Sequence, residues 1–211
     1  MPKALDATFE PGNQWKPIEE GTYPAHIASL STKEVNTRAG EAIVVNMTYK
    51  VSSEVDLITQ PLWEMDGYNY NKDSSGERIP VMNGDGEQSH TDCGHLKDKV
   101  FYDNGFFIFT DTSSSSKNRR YFELLENLDI DCKETTVNGK KVQKLVLIEE
   151  DDVIGKPVHV TIKRHEFVTS DTKHLPPNEQ ERRSTFKVND VKLWPDGEQL
   201  STEEMDDDVP F

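Results

Sequence analysis

Residues 42–51 constrain the fold most, because Ile43, Val45, Met47, Tyr49 and Val51 alternate with Ala42, Val44, Asn46, Thr48 and Lys50. Successive side chains of an extended backbone point to opposite faces, so this pattern predicts a strand with one apolar and one mixed face. The chain is expected to be built around a sheet that contains it.

The flanking segments supply further strands. Residues 1–20, with Pro2, Pro11 and Pro17, read as an irregular arm carrying Phe9 and Trp15, aromatics of the kind that commonly lie across a domain edge. Gly21 opens a strand over Tyr23–Leu30, whose Pro24 suits a strand start or a sheet edge, and Asn36–Gly40 is the turn into the next strand. Residues 52–98 are polar and rich in turn formers, among them Gly67, Gly76, Pro80, Gly84, Gly86 and Gly94. An insertion of that length is expected to be functional or disordered. Val100-Phe101-Tyr102 and Phe106-Phe107-Ile108-Phe109 flank Asp103-Asn104-Gly105, which reads either as a hairpin or as one strand with a glycine bulge.

A helix is predicted from a cap region at Thr112–Ser116 to about Leu128, with Tyr121, Leu124, Leu125 and Leu128 forming one buried stripe. Lys117, Arg119 and Arg120 fall in its first turns, the poorer end for cations, so something outside the helix is expected to favour them. Asn138-Gly139 predicts a small hairpin over Thr135–Val142, continued by Leu145–Ile148. Val158, Val160 and Ile162 then alternate with His159, Thr161 and Lys163, and a loop at 168–181 leads to a last strand over Thr185–Val188 and Val191–Trp194, bulged at Asn189-Asp190. Pro195-Asp196-Gly197 is expected to end the folded part.

This succession predicts a mainly β protein: a five-stranded OB-fold-like barrel with one helix between strands three and four, whose face and loops suit oligonucleotides. The expected organisation is an arm at 1–20, a folded domain at 21–194 carrying the long insertion 52–98, and a tail at 195–211. At 211 residues with 34% hydrophobic and 30% charged residues, one modest core with extensive loops fits. No run of 18 apolar residues and no basic-then-apolar leader occurs, so a cytoplasmic protein with no membrane partner is expected. Two cysteines, Cys93 and Cys132, are too few for a disulfide framework and fit a reducing compartment.

The net charge is −15, and it is segregated along the chain. Residues 195–211 carry −7 with no Lys or Arg, residues 156–194 carry +3, and the first 155 residues hold −11. The acidic end cannot bury enough apolar surface to fold alone and is expected to be disordered. It closes on Asp206, Asp207, Asp208, Val209, Pro210 and Phe211, where an aromatic ring and a terminal carboxylate suit capture by a partner. That tip resembles the acidic C-terminal tip of the single-stranded DNA-binding proteins of bacteria and many phages. The body is also similar to a loose set of phage proteins through Gly21-Thr22-Tyr23 and Ile154-Gly155-Lys156. The resemblance implies a protein of DNA replication, recombination or repair that coats single strands and recruits partner proteins through residues 206–211.

Single-strand binding without sequence preference needs cations for phosphates and aromatic faces for bases. The candidate stacking residues are Trp63, Tyr68 and Tyr70 in the insertion, and Tyr102 and Phe107 on the third strand, with Phe106 and Phe109 beside them. Strand alternation sends about half of the strand aromatics to the core. Candidate cations are Lys156, Lys163, Arg164, Arg182, Arg183 and Lys187, with Lys117, Arg119 and Arg120 as a separate patch. As a tethered polyanion, the tail would also compete with DNA for such a groove. His90, Cys93, His95 and the distant Cys132 are of the residue types that bind zinc, but the usual paired spacing is absent and ordinary loop residues are the simpler reading. Glu149-Glu150-Asp151-Asp152 reads as a solvated turn rather than a nuclease metal site, and no phosphate-binding glycine loop, nucleophile elbow or His-Glu-x-x-His motif occurs. Neither a cofactor nor catalysis is therefore expected. The alternative function is an acidic interaction protein or DNA mimic that binds no nucleic acid; a zinc-containing nuclease or its accessory is a third.

Overall fold

A computed structural model of the protein describes residues 16, 18–66, 69–110, 116–201 and 204–205. The tip Asp206–Phe211, Tyr68, the arm residues Phe9 and Trp15, and the helix-cap positions before Ser116 lie outside the described residues. The chain divides into two compact units: one holds Thr59–Thr91 together with the segment up to Glu19, and the other holds Glu20–Ile58 and Asp92 onward.

The second unit is mainly β. Strands β1 (Gly21–Thr37) and β2 (Gly40–Val51) form a long antiparallel hairpin whose turn is Arg38-Ala39. Thr37 fastens the turn: its Oγ1 accepts from the Ala39 N–H at 3.0 Å and donates to the Gly40 carbonyl at 2.8 Å. The register slips between Ile27 and Ser29, leaving Ala28 as an extra residue, and such a bulge re-aims the side chains beyond it. β1 also pairs with β11 (Pro157–Val168), which pairs with β12 (Arg182–Leu193). Pro24 is opposite His159 in the β1–β11 ladder but lies before the β1–β2 ladder begins at Ala25, so on that side it stands at an edge, where a proline is tolerated.

The stretch 100–109 is one interrupted strand rather than a hairpin. β7 (Val100–Tyr102) and β8 (Phe106–Phe109) both run antiparallel to β2, with Tyr102 opposite Thr48 and Phe106 opposite Val45. The three residues between them bulge away, and Asp103 replaces the lost ladder: its Oδ2 accepts from the Met47 N–H and the Tyr49 hydroxyl, each at 3.2 Å. Gly105, at φ +76°, has Val44 Cγ1 2.6 Å from where a Cβ would stand, so only glycine fits. The six strands thus form one antiparallel sheet in the order β12-β11-β1-β2, with β7 and β8 end to end on the far side of β2. At the sheet's other limit Lys187 Nζ of β12 donates to Asn104 Oδ1 at 2.5 Å, but no ladder joins β12 to β7 among the described residues.

Helix α1 (Arg119–Asn127) follows a short 3-10 turn and buries Tyr121, Leu124 and Leu125, with Leu128 just past its end, which is the predicted stripe. It packs on β8 and β12. Each such side chain removed from water contributes roughly 1.5–3 kcal/mol. Val45, Met47, Tyr49, Val51, Val158, Val160, Ile162, Val188 and Val191 are the sheet's buried side chains. The predicted bulge on the last strand is present, since the ladder skips Asn189 between Asp190 and Val188. The small hairpin is β9 (Lys133–Val137) and β10 (Lys140–Lys144), turning through Asn138 and Gly139 at positive φ. Leu145–Ile148 does not continue it: there the Tyr121 hydroxyl donates to the Val146 carbonyl and accepts from the Ile148 N–H, so a side chain takes the place of a strand partner. Residues 149–152 are a capped single turn of helix, α2 (Glu150–Val153), whose box is made by Glu149 and Asp152.

Two expected boundaries move. Pro195–Gly197 does not end the packed chain, because the Leu200 N–H donates to the Gly155 carbonyl at 3.1 Å, His26 Nε2 lies 2.9 Å from the Glu198 carbonyl, and Met205 is buried. The insertion also has structure of its own. Its ends form short 3-10 helices that bury Val55 and Leu96, and its middle carries the short pairs β3 (Thr59–Pro61) with β6 (His90–Asp92) and β4 (Met65–Asp66) with β5 (Asn69–Tyr70). Within it Asp73 and Asn83 head two similar turns, each taking a backbone N–H two and four residues on.

Candidate nucleic-acid interface

Alternation along β8 decides which aromatics can meet a ligand. Phe106 points inward and is buried, whereas Phe107 and Phe109 share the outer face, with ring centroids 6.2 Å apart and planes 19° from parallel. Phe107 is 38% exposed. Opposite them stands the start of α1, fixed by Asn118, whose side chain accepts from the Phe109 N–H at 2.7 Å and donates to its carbonyl at 3.0 Å. This amide therefore pairs with β8 as a strand edge would, and it fixes the neighbouring cations. Lys117 Nζ lies 5.2 Å from the Phe109 ring centre and donates to the Ala39 carbonyl of the β1–β2 turn at 2.7 Å, while the Arg120 guanidinium lies 5.0 Å from the Phe106 ring.

Arg38, Phe107, Phe109, Lys117 and Arg120 line one open cleft of about 420 Å³. Its cations are on a turn, a 3-10 segment and a helix, and its rings are on a strand, so the fold alone brings them together. None of the three cations has a carboxylate at ion-pair distance among the described residues. Asp103, behind the bulge, is the acid that Arg120 feels. Burial pushes its carboxyl above the usual range against the hydrogen bonds from Gly105, Met47 and Tyr49. Burial and then the Asp103 charge hold the Tyr49 hydroxyl well above its ordinary value.

The other expected residues lie elsewhere. Arg119 is in the first turn with Lys117 and Arg120, but it pairs with Glu123 at 2.7 Å, one helical turn on. Lys156 caps α1, its Nζ donating to the Leu128 carbonyl at 3.0 Å, which is the end of a helix dipole a cation favours. It serves the helix rather than a groove. Lys163 and Lys187 are cross-strand partners on the outer half of the β11–β12 hairpin, and Lys187 reaches Asn104 beside Gly105 at the edge of the cleft. Arg164 lies 5.5 Å from the Phe186 ring, Arg182 is exposed at the start of β12, and Arg183 pairs with Glu181 at 2.8 Å. Tyr102 is 61% exposed on β7, across the bulge from Phe107.

Of the insertion aromatics, expected to be the freest, Trp63 and Tyr70 are occupied. The Arg78 guanidinium lies 4.0 Å from the Tyr70 ring centre and 5.6 Å from that of Trp63, and Glu19 takes Arg78 at 2.7 Å and the Tyr70 hydroxyl as well. The four residues weighed as zinc ligands do not converge: among the described residues no three His, Cys, Asp or Glu side chains come together as a metal site. His90 is exposed, Cys93 is buried, His95 lies in the short turn after it, and Cys132 is beyond α1. Among the described residues no helix is long and apolar enough to cross a membrane. Arg38 was missed by the sequence reading; a lone cation in a turn gains meaning only when the strands bring it beside Phe107.

In comparisons with family models, curated proteins and solved structures, the chain matches none.

Proposed function

We propose that the chain binds single-stranded DNA, with bases stacking on Phe107 and Phe109 and phosphates meeting Arg38, Lys117 and Arg120. The observation that carries this reading is the pair of outward, near-parallel rings beside three cations with no carboxylate at ion-pair distance among the described residues. Lys187 and Lys163 extend the track from the bulge along β12 and β11. The strand order supports an OB-like barrel: counting β7 and β8 as one third strand, the order is five-four-one-two-three with the helix between three and four. An OB barrel opened between its third and fifth strands would have this order, and the cleft would then fall on the face and loop such barrels use for oligonucleotides. The role follows as coating single strands in replication, recombination or repair, with Asp206–Phe211 as the tip that recruits partner proteins.

A titration of labelled oligo-dT and of duplex across a salt series tests it. The expected result is binding that prefers single strands, weakens steeply with salt, and collapses in Lys117→Glu/Arg120→Glu. A chain lacking Val209–Phe211 should still bind oligo-dT while losing replication partners in a pull-down. Indifference to oligo-dT at low salt would overturn the reading and favour the acidic interaction protein that a net charge of −15 suggests.

A further inference from the structure

The β9–β10 hairpin is a basic surface in an acidic chain. Its ladder places Lys133 directly opposite Lys144, and Lys140 follows on the same face of β10, two steps of alternation away. That face carries no acid. The opposite face holds the one neutralised pair, Lys141 with Glu134 at 2.8 Å, and also Gln143, which lines a cleft with Phe122 and Glu126 of α1. So on the side toward the helix the Lys141–Glu134 pair borders a cleft that also holds Glu126, Asp129 and Asp131, whereas the side toward water presents three lysines with no ion-pair partner among the described residues. Like charges opposed across a ladder cost stability. The hairpin pairs with no other strand and all three lysines are exposed, so packing gives no reason to keep them.

We propose that Lys133, Lys140 and Lys144 form a second phosphate-contact surface for single-stranded DNA, separate from the aromatic cleft and reached only by longer strands. The proposal rests on the DNA-binding reading above. The occupant is a polyanion because the face offers ammonium groups and no aromatic platform. It is a separate contact because the cleft gathers at the start of α1 and the hairpin springs from its end, about 14 Å away along the axis at 1.5 Å per residue. Lysines on an unpaired strand edge also deter edge-to-edge association, a role that needs no DNA.

The test compares the full chain with Lys133→Gln/Lys140→Gln/Lys144→Gln and with the same three positions changed to Arg, on oligo-dT of about 5 and about 20 nucleotides over a salt series. Each phosphate contact on a single strand adds about 0.7 to the salt slope, so on the longer oligonucleotide the glutamine variant should lose a slope of about 2 and at least ten-fold in low-salt affinity. It should match the full chain on the short one, and the arginine variant should match it on both. Unchanged binding of the long strand, equal loss on the short strand, or equal loss with arginine would each overturn the second surface and leave the cleft standing. So would an unchanged slope with weakened self-association in sedimentation, which would assign the lysines to the acidic segment of another copy. No binding by the unsubstituted chain would overturn both readings.

Discussion

Besides Arg164 over Phe186, two regions of this protein bring arginine against aromatic rings, and those two differ in one residue type. In the insertion, Arg78 lies over Tyr70 and near Trp63, and Glu19 neutralises it. At the start of α1, Arg120 and Lys117 lie against Phe106 and Phe109 with no carboxylate at ion-pair distance among the described residues, while Asp103 spends its oxygens on Met47, Tyr49 and Gly105. In the first cluster the cation is already neutralised, although the buried Trp63 Nε1 has no hydrogen-bond partner among the described residues. The second has cations whose charge faces water and a ring, Phe107, with an open side. Residue types alone score the two alike; the counter-ion separates them, because a cation already hydrogen-bonded to a carboxylate gains little from a phosphate.

The sharpest way to break the contrast is to remove the rings from each in turn. Phe107→Ala/Phe109→Ala should lower oligo-dT affinity by about 30-fold or more, since each base–ring stack contributes about 1–3 kcal/mol. Trp63→Ala/Tyr70→Ala should leave that affinity within about three-fold, a shift under 1 kcal/mol. Fluorescence anisotropy on the four substitutions decides it, and an equal loss from both pairs would erase the distinction drawn here.

The second test acts on the counter-ion. Glu19→Gln removes the charge that holds Arg78 and leaves a guanidinium about a third exposed without its partner. Because water already screens part of that pair, the cost should be about 1–3 kcal/mol, read as a lower denaturation midpoint with oligo-dT affinity unchanged. A stable variant would show the insertion cluster to be less complete than its geometry.

What the sequence made legible follows the range of the interactions involved. The alternation in β2, the Tyr121–Leu128 stripe, the Asn138-Gly139 turn and the Asn189 bulge are set by neighbours a few residues apart, and each lies where the pattern placed it. The interrupted third strand stayed ambiguous because its resolution depends on Asp103 reaching Met47 and Tyr49, more than fifty positions earlier. Trp63 and Tyr70 looked free because Glu19, which completes their cluster, is also far away in the chain. Lys156 looked like a groove cation until its ammonium met the Leu128 carbonyl. Arg38 and the hairpin lysines passed unnoticed for the same reason: one is a turn residue and the others lie on two short polar strands, and no local pattern marks either. In each case local periodicity carried the element, and long-range pairing decided whether a charge was spent.

The smallest expected effect concerns Asp103, the acid that the open cluster does not use. Burial raises its carboxyl above the ordinary 3.8, with Gly105, Met47 and Tyr49 opposing the rise. An acid whose folded value is raised takes up protons on folding, so its contribution to stability is fully present below pH 3.8 and is lost as pH climbs through the raised folded value. Asp103→Asn cannot titrate. The stability of the unsubstituted chain relative to this variant should therefore fall with rising pH in the window just above 3.8 and level off beyond it. Denaturant midpoints measured across that window are the check. Parallel curves would mean that burial does not oppose the Asp103 charge, because the pull of Arg120 and the hydrogen bonds offset it. The cluster at α1 would then be a second Glu19–Arg78 arrangement rather than an open one.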